Sequence, residues 1–256
     1  MPIDFHSEAN RLTYTQRRAG ADWAAAIRSA VAPERRRVAD IGCGGGVYCA
    51  AWLELGAASV AGVDFSAAMI SAAREHCADL GNLTFSQGSA DRTGLPDTSA
   101  DIVFERALVH HLDDPAAAFR EARRVLAPGG TLIVQDRTVE DVRRPGSASH
   151  LRGWFFERFP GLLDVEAARR PSASRIEAAL RAAGFGSIHS LQLAEVRREY
   201  TGPDEVRADL LARTGRSILH ELTDPQLADL ADYITARLPQ GPIREQDHWT
   251  IWVADS

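Results

Sequence analysis

Short apolar runs alternate with amphipathic stretches through the first half of the chain. Val38-Ala39-Asp40-Ile41 reads as a buried strand, about 38–42, that runs into Gly42-Cys43-Gly44-Gly45-Gly46. An amphipathic segment with Val47, Ala50, Ala51 and Leu55 apolar follows and stops at Gly56. A second strand spans about 59–64 and ends in Asp64. Ser66 is placed to cap the next helix, whose apolar residues Met69, Ile70, Ala73, Cys77 and Leu80 recur with helical period until Gly81. Leu83 and Phe85 mark a short third strand, 101–104 a fourth and 131–135 a fifth. Between the last two, Asp114-Pro115 opens a helix with Phe119, Ala122, Val125 and Leu126 on its buried side, ended by Pro128-Gly129-Gly130. Strands alternating with helices of this length predict an α/β fold, a doubly wound parallel sheet with helices on both faces.

The flanks have a different rhythm. Residues 1–37 look helical, with Trp23, Ala26, Ile27 and Val31 on one face and Pro33 as the stop. After the fifth strand, residues 137–172 are rich in Arg, Pro and aromatics, with Trp154, Phe155, Phe156 and Phe159 close together. A helix ending at Gly184, a strand near 187–197, helical residues 203–239 with Asp224-Pro225 opening a second helix, and a final strand from His248 to Ala254 complete the chain. The expected layout is one domain: a helical cap over 1–37, a cofactor-binding core over 38–136, and insertions at 137–172 and 200–245. In this topology the insertions lie near the carboxyl edge of the sheet, as lid and acceptor pocket.

The glycine turn carries the chemistry. Glycine lets backbone approach a ligand, and a helix N-terminus follows it directly. A dinucleotide site has G-x-G-x-x-G, but here the third position is Val47 and the spacing is G-x-G-x-G. Asp40 beside the turn repels a pyrophosphate and suits a cationic amine and a sulfonium. Asp64, one strand later, suits ribose hydroxyls. Together these point to S-adenosylmethionine rather than NAD.

Composition narrows the reading. The formal net charge is −6 and the pI about 5.8, and the densest basic run is only Arg35-Arg36-Arg37, so nucleic acid is not an expected partner. No stretch approaches the roughly 20 apolar residues of a membrane span, and residues 1–10 lack the apolar core of a signal peptide, so the expected location is cytoplasmic. Every basic residue but histidine is Arg, and the absence of Lys excludes Schiff-base, pyridoxal-phosphate and P-loop chemistry. Cys43, Cys49 and Cys77 form no C-x-x-C pair, and neither a disulfide framework nor a metal site is expected. The sequence leaves assembly open, with a homodimer as the commonest arrangement.

Four segments in order, V-A-D-I-G-C-G-G-G, V-D-F-S, G-S-A-D-x-x-G-L-P, and A-L-V-H-H-L-D-D-P with R-V-L-A-P-G-G-T-L, make residues 40–136 resemble the class I S-adenosylmethionine-dependent methyltransferases, in particular the ubiquinone and menaquinone biosynthesis C-methyltransferases. The resemblance covers under half the chain. It implies a Rossmann-like sheet, mostly parallel with an antiparallel last strand, and helical lid insertions. It also implies roles by position. Asp40 would face the methionine amine, with Gly42, Cys43 and Gly44 passing backbone along the cofactor. Asp64 would hold the ribose, with Phe65 or Met69 beside the adenine and Ala90 and Asp91 at its edge. Glu105 and Arg106 would flank the methionine tail, and Tyr14 and Arg18 would close over the cofactor carboxylate. Plainer roles compete: Met69 at helical spacing suits a core, and Asp91 suits a turn cap.

Methyl transfer requires donor and acceptor held in line at about 3 Å with water excluded. A hydroxyl or acidic-carbon acceptor also needs a base, and His110 and His111 follow the fourth strand, where a small-molecule acceptor should lie. Adjacent residues on a helical turn point about 100° apart, so one of the two at most faces the pocket. Asp136, Arg137, His150, Trp154 and Phe155 are further acceptor-side candidates. An N-P-P-Y amine methylase and a cytosine methylase do not fit, because residues 104–107 read Phe-Glu-Arg-Ala and no Cys follows Cys77. Competing readings are an NAD-linked oxidoreductase and a cofactor-binding regulator or structural protein without transfer activity.

Overall fold

A computed structural model describes residues 19–256. Tyr14 and Arg18 lie outside the described residues. Seven strands form one sheet in the order β3-β2-β1-β4-β5-β7-β6, with β1 Arg37–Ile41, β2 Ser59–Asp64, β3 Leu83–Gln87, β4 Ala100–Arg106, β5 Leu126–Asp136, β6 Ile188–Tyr200 and β7 Ile243–Asp255. The first five pair in parallel, and β7 runs antiparallel to β5. The chain therefore shows the expected α/β, Rossmann-like, mostly parallel sheet. Its order reverses between β1 and β4, and ligands in open α/β sheets bind outside the carboxyl ends at such a switch point.

The described chain divides into two compact units: residues 19–136, 171–193 and 250–256 in the first, residues 137–170 and 194–249 in the second. In the first unit α1 (Ala21–Ala30) buries Trp23, Ala26 and Ile27, as the spacing predicts. Trp23 meets Tyr48 and Trp52 of α2 (Val47–Glu54) and Phe104 edge-on, and its Nε1 donates to Gln135 Oε1 at 3.2 Å. That aromatic cluster covers one face of the sheet. α4 (Pro115–Val125) and α8 (Ala173–Ala182) bury Phe119, Ala122, Ile176 and Leu180 with Ala39, Val103 and Val134 in a second cluster. Pro115 stands at the first turn of α4 and Asp114 caps it, its carboxylate accepting from Ala117 N.

The second unit is helical. α5 (Val139–Val142), α6 (Leu151–Arg158), α7 (Gly161–Arg169), α9 (Pro203–Leu211) and α10 (Asp224–Thr235) enclose an apolar cluster that includes Leu151, Trp154, Phe155, Val206, Leu230 and Ile234. Thr223 and Gln226 make a reciprocal capping box at the start of α10. Among the described residues no helix is long and apolar enough to cross a membrane.

Several boundaries differ from the sequence reading. α3 (Ala67–His76) stops well before Gly81, because residues 77–80 tighten into turns through Ala78 N to Glu75 O and Leu80 N to Cys77 O. Residues 203–239 are three helical pieces, broken where Arg213 and Gly215 take φ of 54° and 62°. β5 starts at Leu126, not at 131. Leu126 pairs with Ala100 and Thr131 with Ile102, so residues 127–130 bulge out of a longer strand than the sequence predicts.

Candidate functional site

Four adjacent strands of the first unit each carry an acid at or next to the carboxyl tip: Asp64 on β2, Asp40 on β1, Glu105 on β4 and Asp136 on β5. All four are buried. They differ in what satisfies them.

Asp64 organises the glycine turn. Its Oδ2 accepts from Gly44 N at 2.9 Å and its Oδ1 from Ser66 N at 2.9 Å. The amides of Gly42 and Cys43 both donate to Val63 O, at 2.7 and 3.0 Å, so the turn is pinned to the end of β2. Ser66 Oγ then caps α3 by accepting from Met69 N. Three of the four glycines of the turn have separate reasons. A Cβ at Gly44 (φ 50°) would meet nothing within 4 Å, so this residue faces open space, which is the cradle a ligand needs. Gly42 (φ 76°) lies against Leu108, and Gly46 (φ 79°) packs against Cys77, Ala73 and Phe85. Gly46 thus serves packing and a left-handed backbone.

Asp40 is 2% exposed and accepts from the Cys49 thiol at 3.2 Å. Burial pushes its carboxyl up to about 7, aided by the charge of Asp64 and offset by the Cys49 thiol and by Arg106. Arg106 stacks over the Tyr48 ring at 4.2 Å. Phe65, directly after Asp64, is 47% exposed. Met69 and Ala90 are buried, and Ala90 packs in the apolar cluster. Asp91 is exposed, and the Ser89 hydroxyl holds its carboxyl below the usual range.

Glu105 is fully buried, and neither carboxyl oxygen has a hydrogen-bond partner among the described residues. Strand register sets it between Ile41 of β1 and Val134 of β5. Burial first, and the Asp136 charge second, push it up to about 8. Next to it Asp136 receives His110. The His110 ring Nδ1 lies 2.9 and 3.0 Å from the two carboxylate oxygens, and the His110 backbone N–H donates at 3.2 Å. A carboxylate on Nδ1 requires a proton there, which leaves Nε2 as the proton-accepting nitrogen of the neutral ring. His111 is exposed, its ring 4.0 Å from that of His110. Of the two histidines, His110 is the one bound to the Asp136 carboxylate. The His110–Asp136 pairing is not visible in the sequence, where the two lie 26 residues apart.

The remaining candidates belong to the second unit. Arg137 pairs with Asp247 at 2.7 Å and stacks over Trp249 at 3.9 Å. The His150 ring lies 4.8 Å from that of His248, and Trp154 and Phe155 are members of the helical unit's apolar cluster. No group of three or more His, Cys, Asp or Glu side chains arranged to hold a metal occurs among the described residues.

Residues 39–134 match a family described as a methyltransferase domain. The chain is 33% identical over 125 residues to a ubiquinone biosynthesis O-methyltransferase of a Chelativorans species, covering 48% of this chain and 49% of that protein. The match thus spans about half the length of this curated relative. The fold of the present chain is shared with an S-adenosylmethionine-dependent methyltransferase from Mesorhizobium loti (TM-score 0.53, 21% identity, 92% of this chain and 98% of that one). It is shared also with a phosphoethanolamine N-methyltransferase 2 from Haemonchus contortus in complex with S-adenosyl-L-methionine (TM-score 0.61, 19% identity, 99% of this chain and 60% of that one).

Proposed function

From a chain that carries a methyltransferase domain over residues 39–134, we propose an S-adenosylmethionine-dependent methyltransferase acting on a small-molecule acceptor. The observation that carries the reading is the clasp at the carboxyl ends of β1 and β2, where Asp64 holds Gly44 N and Ser66 N and leaves Gly44 facing open space. A carboxylate at a strand tip beside an unobstructed backbone suits ribose hydroxyls. The bound cofactor supplies a methyl group already activated by a sulfonium.

The chain's own residues then have positioning and proton work. Asp64 orients the ribose, the backbone of Gly42, Cys43 and Gly44 lines the cofactor, and Phe65 offers an aromatic face to the adenine. Asp91 lies at the adenine edge, with Ala90 and Met69 as apolar support. Asp40 and Arg106 flank the methionine end. His110, held by Asp136 through Nδ1, takes the acceptor proton at Nε2. His111 has no part in proton transfer. Acceptor choice is assigned to residues outside 39–134, where the domain match ends.

Calorimetric titration with S-adenosylhomocysteine, and with NADH as the control, tests the reading. Binding of the first and not the second is expected. Asp64→Ala should weaken it about 100-fold or more, the scale of a lost pair of charge-assisted hydrogen bonds. Binding of NADH alone would replace this reading with an oxidoreductase.

A further inference from the structure

We infer that Glu105 makes binding of the cationic cofactor a proton-releasing step, so that the site distinguishes the sulfonium donor from the neutral thioether product by charge. The inference rests on the methyltransferase reading above. Its geometric basis is the place of Glu105. β1 and β4 border the switch point of the sheet, and Glu105 stands one residue from the end of β4, in register with Ile41 of β1. Both of its oxygens are buried and without a hydrogen-bond partner among the described residues. A buried carboxyl with no donor near it holds its proton, and burial and Asp136 push it up to about 8.

Among the described residues, the charged groups on the surrounding elements give Glu105 no ion-pair partner. On β5, Asp136 is itself an acid and is engaged by His110. On β1, Asp40 is another acid, engaged by the Cys49 thiol. Arg106, the next residue on β4, alternates to the opposite side of the strand and stacks on Tyr48. On the 3-10 turn Val109–His111 the remaining titratable group is His111, which is exposed. Asp114, at the start of α4, caps that helix, and on β7 the residue opposite Asp136 is the uncharged Thr250.

A cation arriving at this edge stabilises the charged form of a nearby acid. Glu105 then gives up its proton: its O–H bond breaks, the proton passes to solvent, and the carboxylate balances the incoming charge. When only the neutral thioether is left in the site, Glu105 takes a proton back. The donor and the product both carry the same amine, carboxylate and ribose, so the difference between them isolates the sulfonium. Asp40, pushed up to about 7, is a second buried acid at this edge that would compete for this role. Its existing thiol donor and the nearby Arg106 already balance it in part.

The test is calorimetry at pH 7 in buffers of different ionisation enthalpy, titrating the full chain with S-adenosylmethionine and, separately, with S-adenosylhomocysteine. Up to about one proton released per S-adenosylmethionine bound and close to none for S-adenosylhomocysteine are expected. Correspondingly, the dissociation constant of the first should fall by up to about tenfold per pH unit between about pH 6 and 8, and that of the second much less. Glu105→Gln should bind both and lose the release. Equal release with the two ligands in the wild-type protein overturns the inference without any variant, and so does undiminished release from Glu105→Gln. Failure of either ligand to bind overturns the methyltransferase reading itself.

Discussion

Glu105 in the sheet unit and Glu245 in the helical unit are both buried glutamates on strands, and their electrostatics are opposite. Glu105 has no partner among the described residues and is pushed up to about 8. Glu245 receives Arg216 at 2.8 and 3.0 Å, Arg197 at 2.9 Å and the Tyr200 hydroxyl at 2.7 Å, and its arginines hold its carboxyl below the usual range despite burial. Asp209 shares Arg216, Arg197 and Tyr200 and is lowered likewise. Glu166, with Arg152, Arg169 and Arg170 around it, follows the same rule. One unit thus neutralises its buried acids internally. The other leaves Glu105 at its sheet edge without a partner among the described residues, which suits a site for a cationic ligand.

The largest expected effects lie where a buried acid is held by a titratable or charged side chain. Asp136→Asn and His110→Ala should each cut turnover by about 10²- to 10⁴-fold in kcat, measured by single-turnover methyl transfer, with His111→Ala close to wild type. Equal losses in all three would dissolve the distinction between the held and the outward histidine. Arg216→Met should destabilise the fold by about 3–5 kcal/mol in urea unfolding, because it removes the buried arginine that Asp209 and Glu245 share and leaves their two charges to Arg197 and the Tyr200 hydroxyl. A change below about 1 kcal/mol would mean that the buried network contributes little.

The next effect is pH dependence, and the two units should respond on opposite sides of neutrality. Glu105 has a native pKa raised above its unfolded value, so its contribution is whole below about pH 4.5 and is lost as pH rises through about 8. Between pH 6 and 9 this costs about 2–3 kcal/mol, with about 1 kcal/mol more from Asp40 as pH passes 7. Glu105→Gln should remove the larger share, read as a flatter alkaline limb in urea titrations of the ligand-free protein. Glu245, Asp209 and Glu166 are lowered, so their contribution is present at neutral pH and lost only on acidification through their depressed native values. The smallest effect is local. Ser66→Ala removes the cap of α3 and should cost about 1 kcal/mol of stability.

Much of this is legible along the chain, and the failures have physical causes. The sequence predicts a start for β7 at His248 because residues 244–248 are Arg-Glu-Gln-Asp-His, polar throughout. Yet the strand begins at Ile243 with a regular alternation in which Glu245 and Asp247 are the buried positions. The period of two is present; its inward residues are charged, and only distant arginines such as Arg216 and Arg137 make that burial tolerable. The β5 bulge is hidden for a similar reason. Pro128-Gly129-Gly130 marks a break equally well whether it ends a helix or loops out of a strand, and pairing of Leu126 with Ala100 decides between them.

The sequence by itself determined the order of strands and helices, the glycine turn after β1, and the placing of an acid near the tip of each of four strands, because period, caps and backbone-permissive residues act over a few positions at a time. The tertiary structure decided which of those acids is satisfied. Asp64 faces the amides of Gly44 and Ser66, Asp136 meets His110, Asp40 meets a thiol, and Glu105 meets apolar strands on either side. A carboxyl's charge is set by what surrounds it within a few ångströms, and those neighbours come from distant parts of the chain.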